Sequence, residues 1–262
     1  MGAPTLKPNL IALTEDLRPS EVLHLVLQGG VRHVCQSKGA AFDQEKLSAE
    51  TLIQTPERFF EFPVASVFAP LSPSPETERS FTWAEERFDS SAQKRAVLDS
   101  FGKTMKSKGL SQTLVDDVVL VADEMFTNAI FNAPFVDQKT HVNPGVSRLD
   151  LDVQLERGKF GRLILAEHAG RLLVGCEDPY GSLSLPMCLH KIKATYDRGV
   201  AESMNFGSGG SGIGSYIIYN TGSSLYLGVN PGLKTTLCCV IPHGMGNKRR
   251  AQMPKNLHCI QL

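Results

Sequence analysis

The chain has 262 residues, room for one large domain or one with a small companion at roughly 100–200 residues per domain. Its 27 basic and 27 acidic residues cancel, so it lacks the net electrostatic footprint of a nucleic-acid or anionic-membrane binder. No apolar run approaches the ~18 residues of a membrane span, and the N-terminus lacks the charged-then-apolar plan of a secretory signal, so a cytoplasmic protein is expected. The six cysteines (Cys35, Cys176, Cys188, Cys238, Cys239 and Cys259) contain no Cys-x-x-Cys pair and are expected as buried or incidental thiols, neither zinc ligands nor a disulfide framework.

In chain order, residues 9–36 predict strand, helix and strand. An apolar Leu10-Ile-Ala-Leu13 is followed by Pro19, which opens a helix through Leu27, then by Gly29 as a stop and by Val31-Arg-His-Val34. Residues 42–67 show no clear period. The proline- and serine-rich residues 70–78 have linker character, which places a boundary there. Leu98, Phe101 and Met105 form one stripe of a helix that Gly109 stops. Val115, Val118, Val119, Ala122, Met125, Phe126, Ala129, Ile130 and Ala133 recur at helical spacing in a second helix, with Thr113 and Asp116 suited to cap its start and Pro134 to end it.

From Arg148 the period changes to two: Leu149, Leu151, Val153 and Leu155 alternate with polar residues, which predicts a half-buried antiparallel strand over 148–156. Strands over 162–167 and 172–177 flank a tight His168-Ala-Gly170 turn. Pro186 opens a helix to about Asp197. A glycine-rich loop over 199–212 leads into a short helix ending near Asn220, and strands over 224–229 and 235–241 close the pattern around Asn230-Pro-Gly232. Helices against an antiparallel-leaning sheet make an α+β two-layer sandwich. The basic Lys248-Arg249-Arg250 is expected as part of a solvated C-terminal tail over 244–262.

Three segments carry chemistry. In residues 123–133, Glu124 and Asn128 stand four apart on one helix and point together, although an amphipathic helix with a polar face produces the same pattern. Gly207, Gly209, Gly210, Gly212 and Gly214 crowd an eight-residue loop directly before an apolar helix. Such a loop brings backbone N–H groups to phosphate oxygens, or is a flexible surface loop. It lacks the Lys-Ser/Thr ending of a Walker loop, and no strand ends just before it as a Rossmann loop requires. In Cys176-Glu-Asp-Pro-Tyr-Gly-Ser182 an aspartate leaves the end of an apolar strand. Asp178 could accept from an exocyclic amine such as that of adenine, or simply form an Asx turn.

In this order and spacing, over about residues 83–242, the three segments resemble the GHKL ATPase superfamily, and within it the anti-sigma-factor serine kinases most closely. The resemblance implies a Bergerat-type ATP-binding fold over 81–243, preceded by residues 1–69 and a linker at 70–80. It implies Glu124 as general base, Asn128 as Mg²⁺ ligand, Asp178 and Gly181 as the adenine-reading G1 box, the glycines at 207–214 as the G2 box beneath a lid, and Thr235 as support of the adenine pocket. ATP and Mg²⁺ are the implied ligands. A sigma factor or its antagonist is the implied protein partner, and a homodimer is compatible with the relatives. Residues 9–36 are similar to the last part of a response-regulator receiver, with Thr14 ending the first strand. Only about nine residues precede them, so the phosphoacceptor pocket of a receiver has no place there.

Three departures stand out: Asp178-Pro-Tyr-Gly181-Ser182 in place of Asp-x-Gly-x-Gly, Asn132 where many anti-sigma kinases carry histidine, and Lys234 in place of the glycine before Thr235. They leave two expectations open, a protein serine kinase and a catalytically weak or inactive ATP-gated binding module. A sensor histidine kinase is disfavoured, since none of the seven histidines sits in an acidic helix-pair setting. Lys191, Lys193 and Arg198, in the expected lid, are within reach of a terminal phosphate but are equally explained as solvated helix charges.

Overall fold

The computed structural model describes residues 10–13, 33–36, 53, 55–137, 140–141, 152–203, 213–251 and 256–262. In chain order the elements are β1 (Leu10–Leu13), β2 (His33–Gln36), α1 (Pro56–Glu61), α2 (Pro63–Phe68), α3 (Pro75–Phe81), β3 (Thr82–Phe88), α4 (Lys94–Ser107) and α5 (Gln112–Thr127), the last running into a π turn (Asn128–Asn132). They continue with β4 (Phe135–Asp137), β5 (Thr140–His141), β6 (Gly161–His168), β7 (Arg171–Asp178), α6 (Leu185–Arg198), α7 (Val200–Ser203), α8 (Gly214–Thr221), β8 (Ser224–Asn230), β9 (Lys234–Pro242), α9 (Asn247–Ala251) and β10 (Asn256–Gln261).

Among the described residues the main sheet has six strands in the order β10-β8-β9-β7-β6-β3, antiparallel except where β10 runs parallel to β8. The β6–β7 hairpin closes through Ala169 (φ 50°) and Gly170 (φ 76°), two successive left-handed residues whose twist matches that of the flanking strands. Side chains alternate across the sheet. Leu172, Val174 and Cys176 face the helices α4, α5, α6 and α8, while Leu173 faces α1 and α2. The first face is packed by Phe101, Met105, Val118, Ala122, Met125, Phe126, Ile192 and Ile218. The second is packed by Phe59, Val64, Val67 and Phe68, so α1 and α2 add a layer to the expected α+β sandwich.

Local chemistry sets the element ends. Helix α4 buries Val97, Phe101 and Met105 at i, i+4 and i+8 and stops at Gly109, whose φ of 74° favours glycine. Ser111, not Thr113, caps α5: its extended backbone lets its hydroxyl accept from Leu114 N at 3.4 Å, whereas Thr113 already lies inside the first turn. Ser184 caps α6 ahead of Pro186, and Gly199 (φ 85°) ends it.

Several expectations shift. The second N-terminal strand is His33–Gln36, two residues later than its apolar pattern, and pairs with β1 in parallel. Part of the proline-rich stretch is helix α3, capped by Ser74, whose Glu78 is buried and accepts from Val64 N (3.3 Å) and Ala65 N (2.6 Å) at the start of α2. Of the strand expected over 148–156, residues 152–156 are described and make only an isolated bridge, Gln154 to Ser90. Beyond the basic residues 248–250, the expected tail forms β10, with Leu257, Cys259 and Ile260 buried, and Arg250 pairs with Asp117 of α5. The five described cysteine side chains are buried thiols that form no disulfide with one another. No described helix is long and apolar enough to cross a membrane.

Candidate functional site

The site is built around the ends of β7 and β9. In their antiparallel register Asp178 stands directly opposite Thr235, and both face α5 by alternation. The structure thus brings together two residues that lie far apart in the chain. Asp178 is 8 % exposed, and burial pushes its carboxyl from the ordinary 3.8 up to about 6. The nearby Thr235 hydroxyl and the Tyr180 and Gly181 amides oppose that rise, while Glu177 behind it adds to it. Thr235 is 2 % exposed and sets its hydroxyl beside the Asp178 carboxyl, just outside strict hydrogen-bond geometry to any of the described residues.

The loop after β7 is held from two sides. Tyr180 N donates to Asp178 Oδ1 at 3.0 Å, which is the Asx turn. Gly181 adopts φ 59° and lies against the β8–β9 turn, where Gly232 N donates to its carbonyl; an added Cβ would overlap the Asn230 carbonyl, so only glycine fits. Ser182 Oγ donates to Ala133 O at 2.7 Å and fastens the loop to the end of the π turn. Tyr180, where the resemblance expects glycine, accepts from Glu156 N through its hydroxyl (3.3 Å) and receives Lys159 Nζ over its ring at 4.2 Å.

Glu124 lies in the last turns of α5 at the start of α8. A methyl group at Gly214 would overlap its carboxylate, so the first residue of α8 is glycine where the acid arrives. Two candidate residues, Glu124 and Gly214, are thereby neighbours. The positive end of a helix dipole favours such a carboxylate. Asn128 begins the π turn, a wider coil often found at functional sites, and Asn132 Nδ2 donates to its Oδ1 at 2.6 Å. On the adjoining face Lys94 pairs with Asp123 (2.6 Å) and donates to Thr127 Oγ1 (3.0 Å).

Gly207, Gly209, Gly210 and Gly212 lie outside the described residues. Lys191, Lys193 and Arg198 lie on α6. Among the described residues no group of three or more His, Cys, Asp or Glu could hold a metal ion. The sequence motifs did not single out Asn132 or Ser182 as partners of the site. Asn132 was within reach of helical spacing from Asn128, while the Ser182 contact spans 49 positions and leaves no local signal. No protein-family model matches the chain, and comparison with curated proteins gives no match.

Proposed function

We propose that the chain is an ATP- and Mg²⁺-binding regulatory protein of the anti-sigma serine kinase type, acting on a protein partner in transcriptional or signalling control. The observation that carries this reading is the buried Asp178–Thr235 pair, a carboxyl and a hydroxyl side by side at the end of an antiparallel pair. Ionised Asp178 would accept from the exocyclic amine of adenine, and Thr235 would meet a ring nitrogen directly or through water. Gly181 would let the loop backbone approach the base. Asn128 would supply one oxygen to Mg²⁺, whose charge would offset that of the phosphates. Glu124 would take the proton of an attacking serine hydroxyl, a contribution of about 10²–10⁴-fold in such reactions.

The altered glycine pattern at Tyr180 and Ser182 favours the second reading, a module that binds a partner under nucleotide control without transferring phosphate. The Asn128 oxygen that would meet the metal also accepts from Asn132, at the position where many anti-sigma kinases carry histidine. The two readings separate when the protein is mixed with MgATP and small antagonist proteins and transfer of the terminal phosphate is followed. Transfer by the native chain that Glu124→Ala abolishes while ATP still binds supports the kinase. Nucleotide binding without transfer to any antagonist supports the gated module.

A further inference from the structure

The pocket pair has a second pair directly behind it. Glu177 and Lys234 precede Asp178 and Thr235 in β7 and β9, and alternation turns them to the opposite face, under α1 and α2. There Lys234 Nζ donates to Glu177 Oε1 (3.0 Å) and to the Phe60 carbonyl in the last turn of α1 (2.9 Å), while Arg162 holds the other Glu177 oxygen at 2.6 Å. Glu177 is 6 % exposed, so its charge is compensated by these two cations and not by water. One ammonium group thus ties a helix end to the residue immediately behind the adenine-facing carboxyl. A cation at the carbonyl end of a helix is favoured there, and the tie is specific to that docked position of α1.

We infer that docking of α1 and α2 against the sheet is coupled to nucleotide affinity through Lys234 and Glu177, which act as positioning residues for Asp178 and Thr235. The inference rests on the nucleotide reading of the pocket. With α1 docked, Lys234 offsets the Glu177 charge, which favours ionised Asp178, the form that accepts from an amine. With α1 lifted, Lys234 loses the Phe60 carbonyl that fixes its ammonium, the paired ends of β7 and β9 lose a tether, and Asp178 and Thr235 are held less firmly for nucleotide. Coupling is reciprocal, so nucleotide must in turn tighten the docking of α1 and α2.

The test uses the full chain and MgATP. Calorimetry compares the affinity of the native chain with that of Lys234→Met, a change at a half-buried side chain turned to the sheet face opposite Asp178 and Thr235. Hydrogen exchange read by mass spectrometry follows the amides of residues 56–68 with and without MgATP. The expected result is an affinity lower by about fivefold or more in the variant, the small end of usual coupling factors. MgATP should also slow exchange over residues 56–68 in the native chain and do so less in the variant. Equal affinities, together with exchange over 56–68 that MgATP leaves unchanged in the native chain, overturn the inference alone. Absence of MgATP binding by the folded native chain overturns the reading of the pocket and this inference with it.

Discussion

Asp178 places stability and function in opposition. A carboxyl raised from 3.8 to about 6 favours the folded state while it is protonated. That contribution is fully present below about pH 4 and is lost as the pH rises through about 6, a difference of roughly 3 kcal/mol by linkage. Asp178→Asn keeps the oxygen that accepts from Tyr180 N and removes the buried charge. It should melt above the native chain at pH 7.5 and converge with it toward pH 4, as thermal scans across that range would show, while losing adenine binding. For the native chain the same titration predicts nucleotide affinity that falls as the pH drops below about 6. Gly214 makes a different case. A methyl there meets the end of a flexible side chain and no backbone atom, so Gly214→Ala should change stability by less than about 1 kcal/mol yet displace the Glu124 carboxylate. Phosphate transfer, if the chain performs it, should then fall with little change in melting temperature.

At the scale of elements, the cap of α5 gives a direct comparison. Ser111→Ala should cost about 1 kcal/mol in denaturant unfolding, and Thr113→Ala only a few tenths, because only the Ser111 hydroxyl meets a first-turn amide. Helices α4, α5, α6 and α8 and the hairpins around Ala169-Gly170 and Asn230-Pro-Gly232 were legible in the sequence because period and turn chemistry are local signals. Strand β10 was not: Asn256-Leu-His-Cys-Ile-Gln261 is short, and its place beside β8 comes from a parallel pairing more than thirty residues away. Helices α1 and α2 were hidden for another reason. Phe59, Phe60, Val64, Val67 and Phe68 are split by Pro63 into two single-turn pieces, too short to display a helical period. Asp178 and Thr235 stood out in the sequence as parts of two separate motifs, but their meeting depends on strand register, which no local pattern encodes.

For the whole molecule, two of the three departures from the GHKL pattern have visible work in this fold, and the third bears on the metal ligand. Tyr180 fastens residues 156–159 to the pocket loop, and Lys234 ties α1 to the sheet, so both belong to contacts made by segments flanking the pocket. Asn132 donates to the Asn128 oxygen, which keeps a second lone pair for a cation. All of this depends on MgATP binding beside Asp178 and Thr235. The most direct measurement is a calorimetric titration of MgATP into the folded full chain at pH 7.5, with Asp178→Asn alongside. The account predicts saturable single-site binding by the native chain with Kd below about 1 mM, lost in the variant. Folded native protein that takes up no MgATP at millimolar concentration would contradict it.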